Sequence, residues 1–109
     1  MDIEFSSPDI QDLSEQQRIM TKQLGDICGR KLRTRLADLR ASASVAELSS
    51  GRPHPLKGDR TGQFALDLHG GKRLVFESAN NPVPTHEDGS IAWNHVTKVR
   101  IVFIGDYHD

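Results

Sequence analysis

From Gln63 to Ser78 the chain alternates apolar and polar residues on both sides of a glycine pair, and no other stretch constrains its fold as tightly. Phe64, Leu66 and Leu68 share one side of the first arm, and Leu74 and Phe76 point inward from the second. A period of two belongs to a strand with one buried face, and Gly70-Gly71 accepts the positive φ angles of a tight turn. The segment therefore predicts a β-hairpin, Gln63 to His69 against Arg73 to Ser78.

Upstream the pattern is mainly helical. Asp2 to Ser6 reads as a short strand with Ile3 and Phe5 on one face and acids on the other. Ser7 then reads as an N-cap and Pro8 as the first helical position, where a missing N–H costs nothing. Ile10, Leu13, Gln17, Met20 and Leu24 follow at roughly helical spacing, and Gly25 terminates the run. Asp26 can cap a second helix whose apolar stripe is Cys28, Leu32, Leu36 and Leu39, with Arg30, Arg33 and Arg40 on other faces. So short a link predicts an antiparallel helical hairpin. Ser44-Val45-Ala46-Glu47 has the capping-box pattern of a brief third helical turn, which Ser49-Ser50-Gly51 breaks.

After the β-hairpin, residues 79–96 form a long connection punctuated by Pro82, Pro84 and Asp88-Gly89, with Ile91 and Trp93 expected to pack down. Lys98 to Gly105 is a last strand, apolar at Val99, Ile101 and Phe103 and also at Val102 and Ile104. Apolar on both faces, it is expected to be central in its sheet. Asp106-Tyr107-His108 then follows the end of a rigid strand, a good place to hold a side chain accurately.

At 109 residues the chain is long enough for one core and too short for two, so a single domain over residues 1–109 is expected, with any site on its surface. The single cysteine, Cys28, excludes an internal disulfide framework and a thiolate metal site, and fits a reducing cytoplasm. The N-terminus lacks the basic segment and apolar run of a secretory signal, and no stretch is apolar enough to span a membrane. The formal charge of −1 hides an uneven distribution: residues 1–17 hold five acids and no base, residues 18–60 ten bases against four acids, and residues 61–109 four against six. A basic middle can bind a polyanion on one face, although such a run is more often a solvated helix surface.

Two polar clusters offer the parts of a metal-free ribonuclease site: His54-Pro55-Leu56-Lys57-Gly58-Asp59-Arg60, and Asp106-Tyr107-His108-Asp109. Cutting RNA near neutral pH needs a base for the 2′-hydroxyl proton, an acid for the leaving oxygen, and cations for the charge building on the phosphate. Histidine can serve as acid or base. Lys57, Arg60 and Arg73 can supply the cations, since a guanidinium fork matches phosphate oxygens and an ammonium acts as a point charge. Each has a plainer reading as well. His54 can be a strand residue beside Pro55, Lys57-Gly58-Asp59-Arg60 a polar turn, and Tyr107 a cover for the core edge. Arg30, Arg33, Arg35 and Arg40 read as solvated helix charges that also bind anions. His69, His86 and His95 carry no assigned role, and the histidines lack the close spacing of a metal motif.

In these residues the chain resembles a HigB-type toxin of the RelE/ParE superfamily. The resemblance is carried by His54-Pro55-Leu56-Lys57-Gly58-Asp59-Arg60, Gly62-Gln63-Phe64, Arg73-Leu74-Val75-Phe76 and Asp106-Tyr107-His108, in order and spacing over residues 54–109. It implies an α+β fold: an N-terminal strand, a helical hairpin, then a curved, mainly antiparallel sheet of about four to five strands with helices on one face. The implied activity is endonucleolytic cleavage of mRNA in the ribosomal A site, without metal or cofactor. On the matching positions it implies acid–base chemistry for His54 and His108, orientation by Asp106 and Tyr107, and transition-state stabilisation by Lys57 and Arg73. Arg60, Arg30 and Arg33 would bind substrate. The implied partners are the ribosome and mRNA and a cognate antitoxin, a HigA-like helix-turn-helix protein that alone would contact operator DNA. Two other readings keep the fold: a ParE-like inhibitor of DNA gyrase, and a non-catalytic antitoxin-binding co-repressor. The long 79–96 segment and Lys72, where many relatives carry an aromatic residue, depart from the family pattern.

Overall fold

The computed structural model of the chain describes residues 1–106. They run β1 (Asp2–Phe5), α1 (Pro8–Glu15), α2 (Gln17–Ala41), β2 (His54–Pro55), β3 (Gln63–Asp67), β4 (Arg73–Ser78) and β5 (Lys98–Gly105), with 3₁₀ turns at Val45–Glu47, Gly58–Arg60 and Trp93–His95. The strands form one sheet in the order β1-β5-β4-β3-β2, antiparallel except for the parallel β1–β5 pair.

The glycine pair makes the hairpin as expected. Gly70 and Gly71 have φ of 66° and 83°, and the Lys72 amide donates to the His69 carbonyl at 3.2 Å. Register sets Phe64 opposite Phe76 and Leu66 opposite Leu74, so the apolar alternation of both strands falls on one face. A slip of one residue would turn every one of these side chains to the other side.

The expected helical hairpin forms inside α2. Gly25, at φ 83° and ψ 169°, interrupts the helix and reverses the chain. A Cβ built on Gly29 would lie 3.2 Å from Met20 Cγ, whereas a straight helix would hold these residues roughly 13 Å apart along its axis. The arms are therefore residues 17–24 and 26–41. One detail differs: the first helix stops early, at Gln16 (φ −104°, ψ 106°), instead of running to Leu24. Ser7 caps it, accepting a hydrogen bond from the Ile10 amide at 3.2 Å.

Cys28, Leu32, Leu36 and Leu39 of the second arm are buried in a common core with Phe64, Leu66, Leu74, Phe76, Val99 and Ile101. Each fully buried leucine here contributes roughly 1.5–3 kcal/mol relative to exposure. The Met1 ammonium closes the end of α2, donating to the carbonyls of Leu39, Arg40 and Ser42 at 2.7–2.9 Å. No helix among the described residues is long and apolar enough to cross a membrane.

Residues 79–96 extend this core. Trp93 packs edge-on against Phe64, with ring centroids 4.9 Å apart, and Ala92 and Val96 are buried. The base of the segment is fastened by Asn80, whose side-chain oxygen accepts from the amides of Thr97 and Lys98.

The last strand departs from its reading in two ways. β5 is interior, but the centre belongs to β4, whose Leu74, Val75 and Phe76 are fully buried. A bulge also interrupts the alternation: Val75 pairs with Phe103 and Phe76 with Ile101, leaving Val102 as the extra residue. Phe103 therefore lies on the face opposite Ile101. That face is where the charged residues gather.

Candidate active site

The helices cover the face that carries Phe64, Leu66, Leu74 and Phe76, and the other face of the sheet carries the charged side chains. Directly paired residues share a face, and the registers lay three rows across it. One row is Gln63, Glu77, Arg100 and Glu4; the middle row is His54, Ala65, Val75 and Phe103; the third is Asp67, Arg73 and Gly105. Long side chains cover the apolar centre of the middle row. Arg60, carried by the turn after β2, lies 4.7 Å from the centroid of Phe103 and donates to Gln63 Oε1 at 3.0 Å.

His54 stands at the edge of this face on β2. Its Nδ1 lies 2.7 Å from the carbonyl oxygen of Arg52. A carbonyl can only accept, so the proton of the neutral ring sits on Nδ1 and the lone pair on Nε2. The backbone thereby prepares the second nitrogen to act as a base.

Beside it, one carboxylate holds two guanidiniums. Asp67 receives Arg52 Nε at 2.9 Å and Arg52 Nη2 at 3.4 Å, and Arg73 Nε at 3.1 Å. Arg73 is anchored a second time, donating Nη1 to the Gly71 carbonyl at 2.9 Å. Such partly exposed pairs are worth roughly 0–1 kcal/mol each, so they orient side chains more than they stabilise the fold. The segment leading to His54 is also unusual: Gly51 and Arg52 both have positive φ, 83° and 48°. For a residue with a Cβ this conformation costs roughly 1–2 kcal/mol.

The other end of the face carries a different network. Arg100 donates to Glu77 at 2.7 Å and to Glu4 at 3.2 Å, and Lys98 lies 2.9 Å from Glu4. The hydrogen bond from Lys98, with Arg100 adding, holds the Glu4 carboxyl below its ordinary value, and Glu77 pushes the Arg100 guanidinium further up.

The structure thus brings His54, Arg60 and Arg73 to one face. Asp106 is exposed at the end of β5 beside the hairpin turn, its Oδ2 3.8 Å from where a Gly71 Cβ would stand. Lys57 is exposed at the start of the Gly58–Arg60 turn. Tyr107 and His108 lie outside the described residues. Arg30 and Arg33 are elsewhere: they line a cavity of about 150 Å³ with Gln17, Met20 and Asp26, between the arms of α2 on the far side of the sheet. Arg35 is not the solvated charge its sequence context suggests. Its Nε donates to the Asp67 carbonyl at 3.2 Å and its side chain is 13% exposed, so it pins α2 to the end of β3. Among the described residues no group of three His, Cys, Asp or Glu side chains gathers as a metal site would require.

Sequence reasoning passed over Arg52 and Asp67. The signal for Asp67 was present: the alternation that faces Leu66 and Leu74 inward puts Asp67 opposite Arg73 on the outer side. Arg52 carried a weaker one, a basic residue between Gly51 and Pro53 just ahead of the histidine.

No protein-family model matches the chain, and no curated protein matches it. Solved structures share its architecture. The YoeB/ParE toxin from Agrobacterium tumefaciens superposes with a TM-score of 0.63 at 12% identity, covering 99% of this chain and 100% of that one. A chain of the YoeB-YefM complex from Staphylococcus aureus gives 0.58 at 18% identity over 100% and 98% of the two chains, and the YoeB dimer from the same organism 0.56 at 19% over the same shares. With its helices packed on a five-stranded mixed sheet, the chain has the α+β fold of the YoeB/ParE toxins.

Proposed function

We propose that the chain is the toxin component of a type II toxin–antitoxin pair in the RelE/ParE superfamily, and a ribosome-dependent mRNA endoribonuclease of the HigB type. The observation that carries this reading is His54, its Nδ1 bonded to a backbone carbonyl, on the same sheet face as Arg73 and Arg60. The fold it shares with the YoeB toxins supports the toxin assignment, and their complexes with YefM support a cognate antitoxin as partner. That antitoxin is a HigA-like helix-turn-helix protein, which makes any contact with operator DNA, and the toxin acts in the cytoplasm.

In this mechanism His54 Nε2 removes the proton of a ribose 2′-hydroxyl, and the 2′-oxygen attacks the adjacent phosphorus. The bond from phosphorus to the 5′-oxygen breaks as His108 protonates that oxygen. The products are a 2′,3′-cyclic phosphate and a 5′-hydroxyl. Arg73 and Lys57 stabilise the charge on the non-bridging oxygens, where aligned donors act most strongly. Asp106 and Tyr107 orient the acid and the scissile phosphate.

The test is transcript 5′-end mapping after brief induction in bacteria, comparing wild type with His54→Ala and His108→Ala. New ends confined to translated regions, and lost in both variants, are expected. Growth arrest without new ends would instead point to inhibition of gyrase.

A further inference from the structure

The hydrogen bond that sets the His54 tautomer ends on a backbone carbonyl in an unfavourable conformation. Arg52 lies at φ 48°, after Gly51 at φ 83°, and a residue with a Cβ does not hold the left-handed region without support. The support comes from two elements distant in sequence. On β3, the Asp67 amide donates to the Gly51 carbonyl at 2.6 Å, and the Asp67 carboxylate receives Arg52 Nε at 2.9 Å. From α2, Arg35 donates its Nε to the Asp67 carbonyl at 3.2 Å.

Arg35 is built into this joint. Its side chain is 13% exposed, and Gly51 packs on it so closely that a Cβ at Gly51 would lie 2.5 Å from Nε and 3.0 Å from Cδ. Burying a guanidinium is costly unless it is well paired, and Asp38 meets this one through Nη1 at 3.5 Å. A spacer between α2 and the turn would be better served by an apolar side chain. The guanidinium adds a donor, and it is aimed at the residue that also holds Gly51 and Arg52. A line of contacts therefore runs from α2 to the histidine: Arg35 Nε to the Asp67 carbonyl, the Asp67 amide to the Gly51 carbonyl, and the Arg52 carbonyl to His54 Nδ1 at 2.7 Å.

We propose that Arg35 is a positioning residue for His54. By locking the Gly51-Arg52 turn against Asp67, it fixes the Arg52 carbonyl and so keeps the ring proton on Nδ1 and the lone pair on Nε2. The use of that lone pair as a base in cleavage rests on the ribonuclease reading, whereas the tautomer itself does not.

The test is ¹⁵N NMR of the neutral imidazole rings in the wild type and Arg35→Met, with the His54 signals identified by their loss in His54→Ala. Methionine fills much of the space of the arginine stem without a donor. The wild type should show a single Nδ1–H tautomer at His54, and Arg35→Met, its fold checked by thermal melting, a mixture of the two tautomers. Where Arg35→Met fails to fold, Arg35→Lys keeps the stem and the charge beside Asp38 but carries its ammonium one bond beyond the place of Nε. It should show the same change to a smaller degree. Single-turnover cleavage on programmed ribosomes should fall roughly ten- to hundred-fold in the variant while ribosome binding holds, because a base out of line costs rate and not affinity.

An Nε2–H ring in the wild type, or an unchanged single tautomer in the folded variant, would overturn the assignment. Tautomer mixing in the variant with no cleavage by the wild type would leave the role of Arg35 standing and remove the nuclease reading. Cleavage by the wild type with an unchanged tautomer in the variant would do the reverse.

Discussion

Two charged networks share the face of the sheet that the helices leave uncovered, and they differ in what stands beside them. At the β1 side, Lys98 and Arg100 meet Glu4 and Glu77, two cations facing two carboxylates that tie β1, β5 and β4 together. At the β2 side, Arg52 and Arg73 both meet the carboxylate of Asp67, next to His54. Among the described residues the first network pairs two cations with two carboxylates. The second stands next to a histidine whose Nδ1 is held by a backbone carbonyl, and it is the end on which the proposed chemistry rests.

The comparison breaks first at His54. Its side chain makes a hydrogen bond to a local carbonyl and stands on an edge strand, so His54→Ala should leave the melting temperature nearly unchanged. Cleavage of mRNA on programmed ribosomes should fall by roughly 10²–10⁴ if the ring is the general base. An active, folded His54→Ala would strip the β2 side of its chemistry and leave two structural networks.

Arg73 comes next. Arg73→Ala should lower the single-turnover cleavage rate by roughly 10²–10³ while weakening RNA binding far less if its contact is to charge that develops in the transition state. Equal losses in rate and binding would make it a binding residue alone. Arg100→Gln, its counterpart at the balanced end, should leave cleavage untouched and lower stability by roughly 1 kcal/mol or less. A cleavage defect in folded Arg100→Gln would erase the distinction between the two ends.

The sequence revealed the covered side of the sheet better than the other one. Phe64, Leu66, Leu74 and Phe76 reveal their face because burial imposes a period of two, and Cys28, Leu32, Leu36 and Leu39 reveal theirs because a helix packs through one stripe. The break at Gln16 has no local signal, since glutamine is an ordinary helix former. It arises because α1 lies against β1 and β5 while the next arm must pack on residues 26–41. The bulge at Val102 is equally silent, because Ile101, Val102, Phe103 and Ile104 are all apolar and no alternation shows which one is extra. On the other face, chemistry and family likeness singled out His54 and Arg73, and the register sets both on that face. Asp67 and Arg52 were not, because their roles come from a cross-strand register and a left-handed turn that join residues distant in sequence.

The smallest effect separates the networks by pH. Glu4 is held below its ordinary value of 4.5 by the hydrogen bond from Lys98 and then by Arg100. Its folded pKa is thus lower than its unfolded one, so its contribution to stability is fully present above pH 4.5 and is lost as pH falls through the folded value. Salt screens so exposed a carboxylate, so the effect should shrink as ionic strength rises. Thermal melts between about pH 7 and about pH 3 should show a gentler loss of stability on acidification in Glu4→Gln than in the wild type. Identical acid limbs would mean that the row of Glu4, Lys98 and Arg100 is not coupled to folding.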